Sequence, residues 1–561
     1  MILDLGGYPI YYGNPVDAVI YFKTLVNHVN ADESECPKCG NVNPEMIFNI
    51  IESKVLDEYG NLTDNRKVSP KEWNEYYVDK VQNHAEILDE STVIPESTFK
   101  VPKKLGQLKV FLTRDVLSKL TNKQYLMINL LEAPALAVIL AFLVKFYHTD
   151  ATSVGYIFRE NENLVAYIFM AVVVALFIGL TVSAEEIIRD QKIRKRESFL
   201  NLSNGSYLIS KVIIMFFLSA IQTFSFIIIG NSILGIGGMY WDYWLILFST
   251  ACFANMLGLN ISASFNSAVT IYISIPFLII PQLLLSGLII KFEKLNPKIT
   301  SQTHVPFIGE SMASRWAFEA IAVNQFKSNK FQKEFYEFEK AQSISNYKKT
   351  FWIAEVKSKI GFVETYYSKT EKREEVKDAL DLLTYEIGKE GTLLQLPFEG
   401  LDKLNIDSID DKTIKALRKY VKTLQKYYVK MGNKAMDARD DKIYKLQKQL
   451  GDKKAYIALK NDYENDNLTD LLKNKTEMKL IQEIDGQFVQ RTDPIFLDPQ
   501  GPRAHFFAPT KMIFGKRIDT FWFNTAVLWL MSLMLGVTLY FDIFKKVLDG
   551  LGKISSISFK K

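Results

Sequence analysis

The stretch LVAYIFMAVVVALFIGLTVSA, Leu164 to Ala184, decides the fold class, because it contains 21 consecutive residues without a charge. A helix rises 1.5 Å per residue, so this run matches the hydrocarbon core of a bilayer, about 30 Å thick. Five other runs are similarly apolar: Tyr125–Tyr147, Val212–Ile229, Trp244–Ala263, Val269–Ile290 and Phe521–Phe541. The sequence therefore predicts a mainly α-helical, polytopic membrane protein with six transmembrane helices, and it excludes a wholly soluble chain.

The average composition conceals these runs. The 561 residues are 48% hydrophobic and 23% charged, and 68 Lys plus Arg nearly balance 63 Asp plus Glu. This balance provides no global basic field, so a nucleic-acid partner is not expected. Three cysteines are too few for a disulfide framework.

Basic residues in the short connections set the expected orientation. The connections 148–163 and 230–243 together contain one basic residue, Arg159. The connection after the second run contains a cluster of five: Arg189, Lys192, Arg194, Lys195 and Arg196. Since Lys and Arg are concentrated in cytoplasmic connections, we expect both termini in the cytoplasm. The sequence is rich in Lys, Asn and Ile, and this composition points to a bacterial cytoplasmic membrane.

The segment between the fifth and sixth runs, 291–520, is then extracytoplasmic, and it holds 41 basic and 34 acidic residues. Long translocated domains are exempt from the orientation rule, so this charge does not contradict the topology. Apolar residues recur at intervals of three and four, which predicts a helical pair or short coiled coil: Leu417, Val421, Leu424, Tyr428, Ile443, Leu446 and Leu450. Two interpretations remain open, a plain helical domain and a surface for a periplasmic partner at 331–480.

The segment 104–124, just before the first run, has the pattern of an amphipathic connecting helix. Its apolar face is expected to contain Leu108, Phe111, Leu112, Val116 and Leu120. Its polar residues are Lys109, Arg114, Asp115 and Lys119. The pattern fits a helix lying in the membrane interface, and it equally fits a cytosolic packing helix.

The connection EEIIRDQKIRKRESFLNLSNGSYLISK, Glu185 to Lys211, contains acid-first pairs at a spacing of four, which favour a helix continuing beyond the bilayer. A solvated basic loop is the alternative. Part of this connection resembles the coupling-helix region of the G-subfamily (white/pigment-like) ABC transporters, through residues that match in order: Arg196, Glu197, Gly205, Tyr207 and Lys211.

Two further stretches carry the same resemblance. PFIGESMASRWAFEAIAVNQF, Pro306 to Phe326, is similar to the outer loop of the family, with motif residues Arg315, Trp316, Glu319 and Asn324. GGYPIYYGNPVDAVIYF, Gly6 to Phe22, resembles the end of the family's ATP-binding domain, and NPEMIF, Asn43 to Phe48, matches an element that follows it.

The resemblance implies an ABC-2-type permease that works with an ATP-binding domain as a homodimer or heterodimer of half-transporters. Its coupling-helix residues would be Glu185, Glu186, Arg189, Arg196 and Glu197. No G-x-x-x-x-G-K-[ST] occurs in the sequence, so we expect no ATPase activity from this chain alone. ATP and Mg²⁺ would bind an ATP-binding domain that is either missing from the N-terminus or a separate chain.

The expected organisation follows from the runs and the resemblance. It comprises 1–103, the end of an ATP-binding domain plus a linker; 104–124, the connecting helix; 125–290, five transmembrane helices; 291–520, the extracytoplasmic domain; 521–544, the sixth helix; and 545–561, a cytoplasmic tail.

The resemblance also implies a cavity lined by the second and fifth transmembrane helices. Few polar residues interrupt these runs, among them Thr181 and Gln282, and Glu132 interrupts the first run. A carboxylate within lipid needs a partner or a polar cavity. We therefore expect export of a lipophilic or amphipathic substrate by alternating access. The alternatives are a mechanotransmission device acting on a periplasmic partner without transport, and a membrane scaffold or receptor.

The motif CPKCG contains Cys36 and Cys39 at a spacing that suits a zinc turn. One such pair supplies only two of four ligands, so a reduced structural pair is the default interpretation and a zinc site is the alternative.

Overall fold

The computed structural model describes residues 1–26, 45–83, 102–147, 155–197, 202–499 and 501–558. These described residues are 70% helical, which confirms the mainly α, polytopic fold class. The chain forms two compact units, Met1–Lys100 and Val101–Lys561.

The first unit is small and combines two antiparallel hairpins with three helices. Its core contains Ile10, Phe22 and Trp73, and Arg66 pairs with Asp4 at 2.8 Å. Its elements are β1 (Ile2–Leu3), β2 (Pro9–Tyr11), α1 (Pro15–Leu25), α2 (Glu45–Ile51), β3 (Lys54–Leu56), β4 (Leu62–Arg66) and α3 (Pro70–Tyr77).

The second unit begins with the helices that build the membrane bundle. They are α4 (Lys104–Thr121), α5 (Lys123–Val144), α6 (Leu164–Ala184), α7 (Glu186–Arg196), α8 (Asn204–Leu234), α9 (Tyr240–Ser264) and α10 (Ala268–Leu284). The insert between α10 and the last long apolar helix contains α11 (Phe307–Glu310), α12 (Ala313–Lys327), α13 (Tyr336–Tyr347), α14 (Ile353–Tyr366), α15 (Arg373–Leu394), α16 (Asp411–Leu450), α17 (Lys453–Tyr463) and α18 (Asp466–Leu472). Four strands and two helices complete the unit: β5 (Ile481–Ile484), β6 (Gln487–Gln490), β7 (Thr510–Ile513), β8 (Lys516–Asp519), α19 (Thr520–Tyr540) and α20 (Ile543–Ser558).

In the described part of the chain, five helices are long and apolar enough to cross a membrane: α5, α6 together with α7, α8, α9 and α19. The fifth predicted run, Val269–Ile290, forms the shorter α10, which has 17 residues. The chain leaves the helix at Leu285, and Gly287 then adopts a positive φ of 84°. The predicted end of this helix, Ile290, therefore lies six residues beyond its end at Leu284 in the structure.

Helix α9 lies at the centre of the bundle, and every residue from Ser249 to Ser262 is buried. It contacts α6, α8, α12 and α19. Two glycines allow the close approach of α6: a Cβ on Gly179 would lie 2.6 Å from the carbonyl oxygen of Ala251, and a Cβ on Gly258 would overlap the hydroxyl of Ser183. Small residues at helix contacts are typical of membrane bundles.

The insert is mainly helical, as expected, but it also contains two β-hairpins that the sequence analysis missed. Strand β5 pairs with β6, and β7 pairs with β8. Each hairpin turns through two residues with positive φ, Asp485–Gly486 and Phe514–Gly515. A two-residue turn with positive φ at both positions matches the right-handed twist of the two antiparallel strands that it joins.

The predicted apolar seam is correct in its first half and wrong in its second. Leu417, Val421, Leu424 and Tyr428 are buried in one core with residues of α14 and α15. The later seam residues are half-buried (Ile443 and Leu446) or exposed (Leu450). The seam stops because α16 is one helix of 40 residues, and the core residues from the other helices surround only its first half.

The insert contacts the α5–α6 connection. Asn465 Nδ2 donates to the carbonyl oxygens of Phe158 and Asn161 at 2.9 and 2.8 Å, and Arg159 pairs with Asp466 at 3.1 Å. Because α6 then extends about 30 Å away from this connection, α7 lies at the other end of the bundle.

Candidate functional site

Helices α4, α7 and α8 meet at the end of the bundle away from the insert. The Ser206 hydroxyl donates to the carbonyl oxygen of Lys104 at 3.0 Å, which joins α8 to α4. The Ser262 hydroxyl of α9 accepts hydrogen bonds from the backbone N–H groups of Ile187 and Ile188 at 3.0 and 3.1 Å. These N–H groups belong to the first turn of α7 and lack partners within that helix. The start of α7 is therefore fixed to α9.

The centre of this contact is a cluster of charged side chains, which we call the charged junction. Its members are Asp115 and Lys119 of α4; Glu186, Arg189 and Asp190 of α7; and Lys211 of α8. Lys119 Nζ lies 2.8 Å from both carboxylate oxygens of Glu186 and 3.3 Å from Asp115. Arg189 lies 3.3 Å from Glu186 at the edge of the junction.

Lys211 links all three helices. Its Nζ lies 2.8 Å from Asp190, 3.0 Å from Asp115 and 3.2 Å from Glu186. The Tyr207 hydroxyl, one turn earlier on α8, donates to Asp190 at 3.2 Å. Each helix therefore contributes at least one charge that a neighbouring helix neutralises.

The charged junction is buried and electrically balanced. The side chains of Glu186 and Lys211 are each only 2% exposed, and three carboxylates face three cations. Burial alone would raise the pKa of Asp115, but Lys211 and Lys119 outweigh burial and hold this pKa below its usual value. Removing one member of a buried pair leaves an uncompensated charge, which costs several kcal/mol. The three helices are thus bound as one unit.

The structure places the five expected coupling-helix residues in different environments. Glu186 is at the centre of the charged junction, and Arg189 is at its edge. Glu197, at the end of α7, pairs with Arg114 of α4 at 2.8 Å. Glu185 precedes α7 as its N-cap residue, and Arg196 is exposed.

The structure adds detail to the polarity expected for α4. Asp115 and Lys119 were expected only as polar residues of this helix, and both are buried, whereas Val116 and Leu120 of the expected apolar face are exposed. The acids of α7 and Lys211 of α8 complement these charges, so the charged side of α4 packs inward. One available signal was Lys211 itself, a cation directly before the apolar run Val212–Ile229, since a charged residue at the end of a membrane helix needs a partner when it is buried.

A cavity of about 560 Å³ lies beside α7. Three cations and two acids contribute to its lining: Arg194, Lys195, Lys545, Glu197 and Asp542. Arg194 stacks over the Tyr207 ring at 4.6 Å and donates to Asn204 at 2.8 Å. The cavity is therefore polar, and it opens next to the coupling-helix residues.

A second buried ionic cluster lies at the insert end, on the outer-loop motif. Glu319 of α12 accepts from Lys511 of β7 at 2.7 Å, from Asn524 of α19 at 2.9 Å and from the backbone N–H of Phe507 at 2.9 Å. Arg315 lies 3.3 Å from Glu319. These contacts bind the β7–β8 hairpin and α19 to α12.

Burial changes the titration of this outer cluster. Burial lowers the pKa of Lys511 to about 8, although Glu319 acts in the opposite direction.

The motif residues Arg315 and Trp316 contact each other and the residues just before α12. The guanidinium of Arg315 stacks on the Trp316 ring at 3.9 Å, and Trp316 Nε1 donates to the carbonyl oxygen of Glu310 at 2.7 Å. Asn324 is buried near the end of α12.

The three polar residues expected within the membrane do not converge on one site. Gln282 accepts from the Ser314 N–H at 3.0 Å through its side chain, and it thereby positions the start of α12. Thr181 donates to the carbonyl oxygen of Phe177 on its own helix at 3.0 Å. Glu132 is half-buried on α5. The described residues therefore show no shared polar pocket formed by these three side chains.

The zinc hypothesis falls on Cys36 and Cys39, which lie outside the described residues. Within the described ranges, no group of three or more His, Cys, Asp or Glu side chains is placed to hold a metal ion.

Comparison with known families identifies the bundle. Residues 106–326 match the family model described as ABC-2 type transporter, a range that runs from α4 to α12 and includes the charged junction. No curated protein matches the chain. This type of domain is a permease component and is not catalytic by itself. The chain is therefore an integral membrane protein that carries, at residues 106–326, the membrane domain of an ABC-2 type transporter.

Proposed function

We propose that this chain is the permease part of an ATP-driven, G-subfamily-like ABC exporter, working as a homodimer or heterodimer of half-transporters. The observation that carries the proposal is the charged junction. It joins α7, which we assign as the coupling helix, to α4 and to the first turns of the membrane helix α8 through buried ion pairs of 2.8–3.2 Å. ATP hydrolysis on an ATP-binding domain, in a longer form of the chain or on a separate chain, supplies the free energy.

The proposed coupling route begins at the exposed side of α7. An ATP-binding domain contacts Arg196 and the cavity beside α7, which is lined in part by Arg194 and Lys195. Closure of two such domains displaces α7. Because Glu186 and Asp190 hold Lys211, the start of α8 moves with α7. The interface between the two copies then switches between inward and outward access, which requires two discrete packings.

The substrate class follows from the helices that would face the second copy. Helix α10 buries only Ile271 and Ile275 within this chain, and its exposed side is aliphatic and aromatic. An exposed apolar side of this kind favours a lipophilic or amphipathic substrate over an ion or a sugar. The basic residues of the α7 connection support a cytoplasmic location for this connection and for both termini, in what we take to be a bacterial cell.

One observation favours a second candidate function, mechanical action on a periplasmic partner at 331–480. The insert is tied to the bundle at two places, by the ion pair Arg159–Asp466 at 3.1 Å and by the hydrogen bond that Asn524 of α19 donates to Glu319 of α12 at 2.9 Å. Motion of the bundle would therefore reach the insert. A scaffold or receptor role without ATP coupling is the third candidate.

The test uses inside-out vesicles from cells that produce the full chain from its native genomic locus. ATP-dependent uptake of rhodamine 6G or of a fluorescent phospholipid, together with ATP hydrolysis, is expected in the wild type and is expected to fall in a Glu186→Gln variant. The exposed Lys192→Gln variant of the same helix serves as the control. ATP hydrolysis without uptake of either probe, but dependent on residues 331–480, would support mechanical action. No ATP-dependent activity at all would overturn both proposals.

A further inference from the structure

Helix α20 begins two residues after the membrane-spanning helix α19 ends. Asp542 has a φ of 53°, in the left-handed region, so the chain changes direction between the two helices. Helix α20 then contacts α9 as well as α19. The end of α19 marks one boundary of the apolar layer, so α20 starts at the membrane surface on the α7 side of the bundle.

The sequence of α20, IFKKVLDGLGKISSIS, is strongly amphipathic. Ile543 and Val547 are four residues apart, which places them along one side of the helix. Lys546 follows Ile543 by three residues and lies at the edge of that apolar side. Asp549 lies on the opposite side.

The protein itself does not cover this apolar side in its first two turns. Ile543 is 40% exposed and Val547 is 55% exposed, whereas Lys545 and Leu548 are half-buried. The helix therefore contacts the bundle along one flank and leaves its aliphatic face open. Exposure of aliphatic surface to water is unfavourable. We therefore expect an apolar environment around this face at the membrane surface.

We propose that α20 lies in the membrane interface, with its apolar side among the lipid acyl chains and Lys546 on anionic lipid headgroups. A basic amphipathic helix of this kind binds through its apolar area and through attraction to anionic lipids. The direct connection to α19 and the exposed Lys546 beside the apolar side favour a lipid surface over a protein partner. This inference does not depend on the proposed transport activity.

The test measures the depth of α20 in the full chain reconstituted in liposomes. The three native cysteines, Cys36, Cys39 and Cys252, are changed to Ser, and one environment-sensitive nitrobenzoxadiazole label is placed at Val547→Cys or Asp549→Cys. Quenchers attached to lipid tails should reach the first label and not the second. Adding phosphatidylglycerol to phosphatidylcholine should strengthen that quenching.

The charge requirement is tested by a Lys546→Gln variant. A cation near an anionic surface strengthens binding about fivefold, so the ratio of bound to detached helix should fall about fivefold in phosphatidylglycerol liposomes. The ratio should barely change in phosphatidylcholine. Equal access of a water-soluble quencher to both labels would overturn the proposal. A label at position 547 shielded from both water and lipid quenchers would also overturn it, because that result indicates cover by a protein surface.

Discussion

Replacement of Lys211 by Met tests whether the charged junction holds α4, α7 and α8 together. Lys211 is 2% exposed, and its Nζ lies within 3.2 Å of Asp115, Glu186 and Asp190. Without it, three carboxylates face only Lys119 and Arg189. Asp190 would then retain the Tyr207 hydroxyl but no cation of the charged junction.

The magnitude follows from the burial of these ions. Breaking a buried ion pair from one side costs about 3–5 kcal/mol, because the remaining charge stays uncompensated in a poorly polar environment. The matched control is Arg114→Ala, which removes a part-exposed pair with Glu197 across the same helices. An exposed pair contributes about 0–1 kcal/mol. The two variants should therefore differ by several kcal/mol.

The assay is thermal unfolding of the purified protein in lipid nanodiscs, followed by size-exclusion chromatography of the soluble fraction. At a few degrees per kcal/mol, we expect Lys211→Met to lower the midpoint by about 10 °C and Arg114→Ala to leave it nearly unchanged. Adding Asp190→Asn to Lys211→Met should recover part of the loss, since two acids again face two cations. Equal midpoints for Lys211→Met and Arg114→Ala would refute this reasoning.

Three further predictions address other parts of the molecule. Burial lowers the pKa of Lys511 to about 8 from an ordinary 10.5. Between these two values the unfolded chain holds a proton that the folded chain has lost, so the melting temperature of the wild type relative to Lys511→Met should rise from about pH 8 to pH 10.5 and stay level below pH 8. Melting curves with the same difference at every pH would contradict this. Gly258→Ala should lower the free energy of unfolding by about 1–3 kcal/mol, because the added methyl group overpacks the contact between α6 and α9. Gly536→Ala, whose methyl group would meet one methyl carbon at 3.4 Å, should leave it unchanged. Chemical denaturation of the two variants checks this difference. Charge reversal at Glu197 or Arg196 should reduce probe uptake per ATP hydrolysed while sparing folding, and an unchanged ratio in both variants would count against their role in coupling.

The apolar runs predicted the membrane helices well, because charge is excluded from them over a length that only a bilayer or a large core can match. The predicted Leu164–Ala184 coincides with α6, and the predicted Phe521–Phe541 differs from α19 by one residue at each end. The start of α8 was placed eight residues too late, at Val212. Its first two turns are polar, yet they remain helical because Lys211 and Ser206 find partners on neighbouring helices.

The charged junction was only partly predictable from the sequence. Glu186 and Arg189 belonged to the expected coupling helix, but the pattern of α4 did not indicate that its polar residues Asp115 and Lys119 are buried against that helix. A helical pattern separates apolar from polar residues, and it does not say which side meets complementary charges on another helix. The hairpins were missed for a different reason: Asp485–Gly486 is a recognisable turn, but it lies in a segment dominated by helical periodicity.

The central claim is that α4, α7 and α8 move as one unit when an ATP-binding domain acts on α7. Double electron–electron resonance tests it most directly, on the full chain together with its ATP-binding domain, with spin labels in pairs. The labels occupy exposed positions: Lys109→Cys on α4, Lys192→Cys on α7, Ile209→Cys on α8 and Asp462→Cys in the insert. The account predicts that distances among the first three labels are the same with and without ATP, while the distance from Lys192→Cys to Asp462→Cys changes. A nucleotide-dependent change between Lys192→Cys and Ile209→Cys, with the other distances constant, would contradict it.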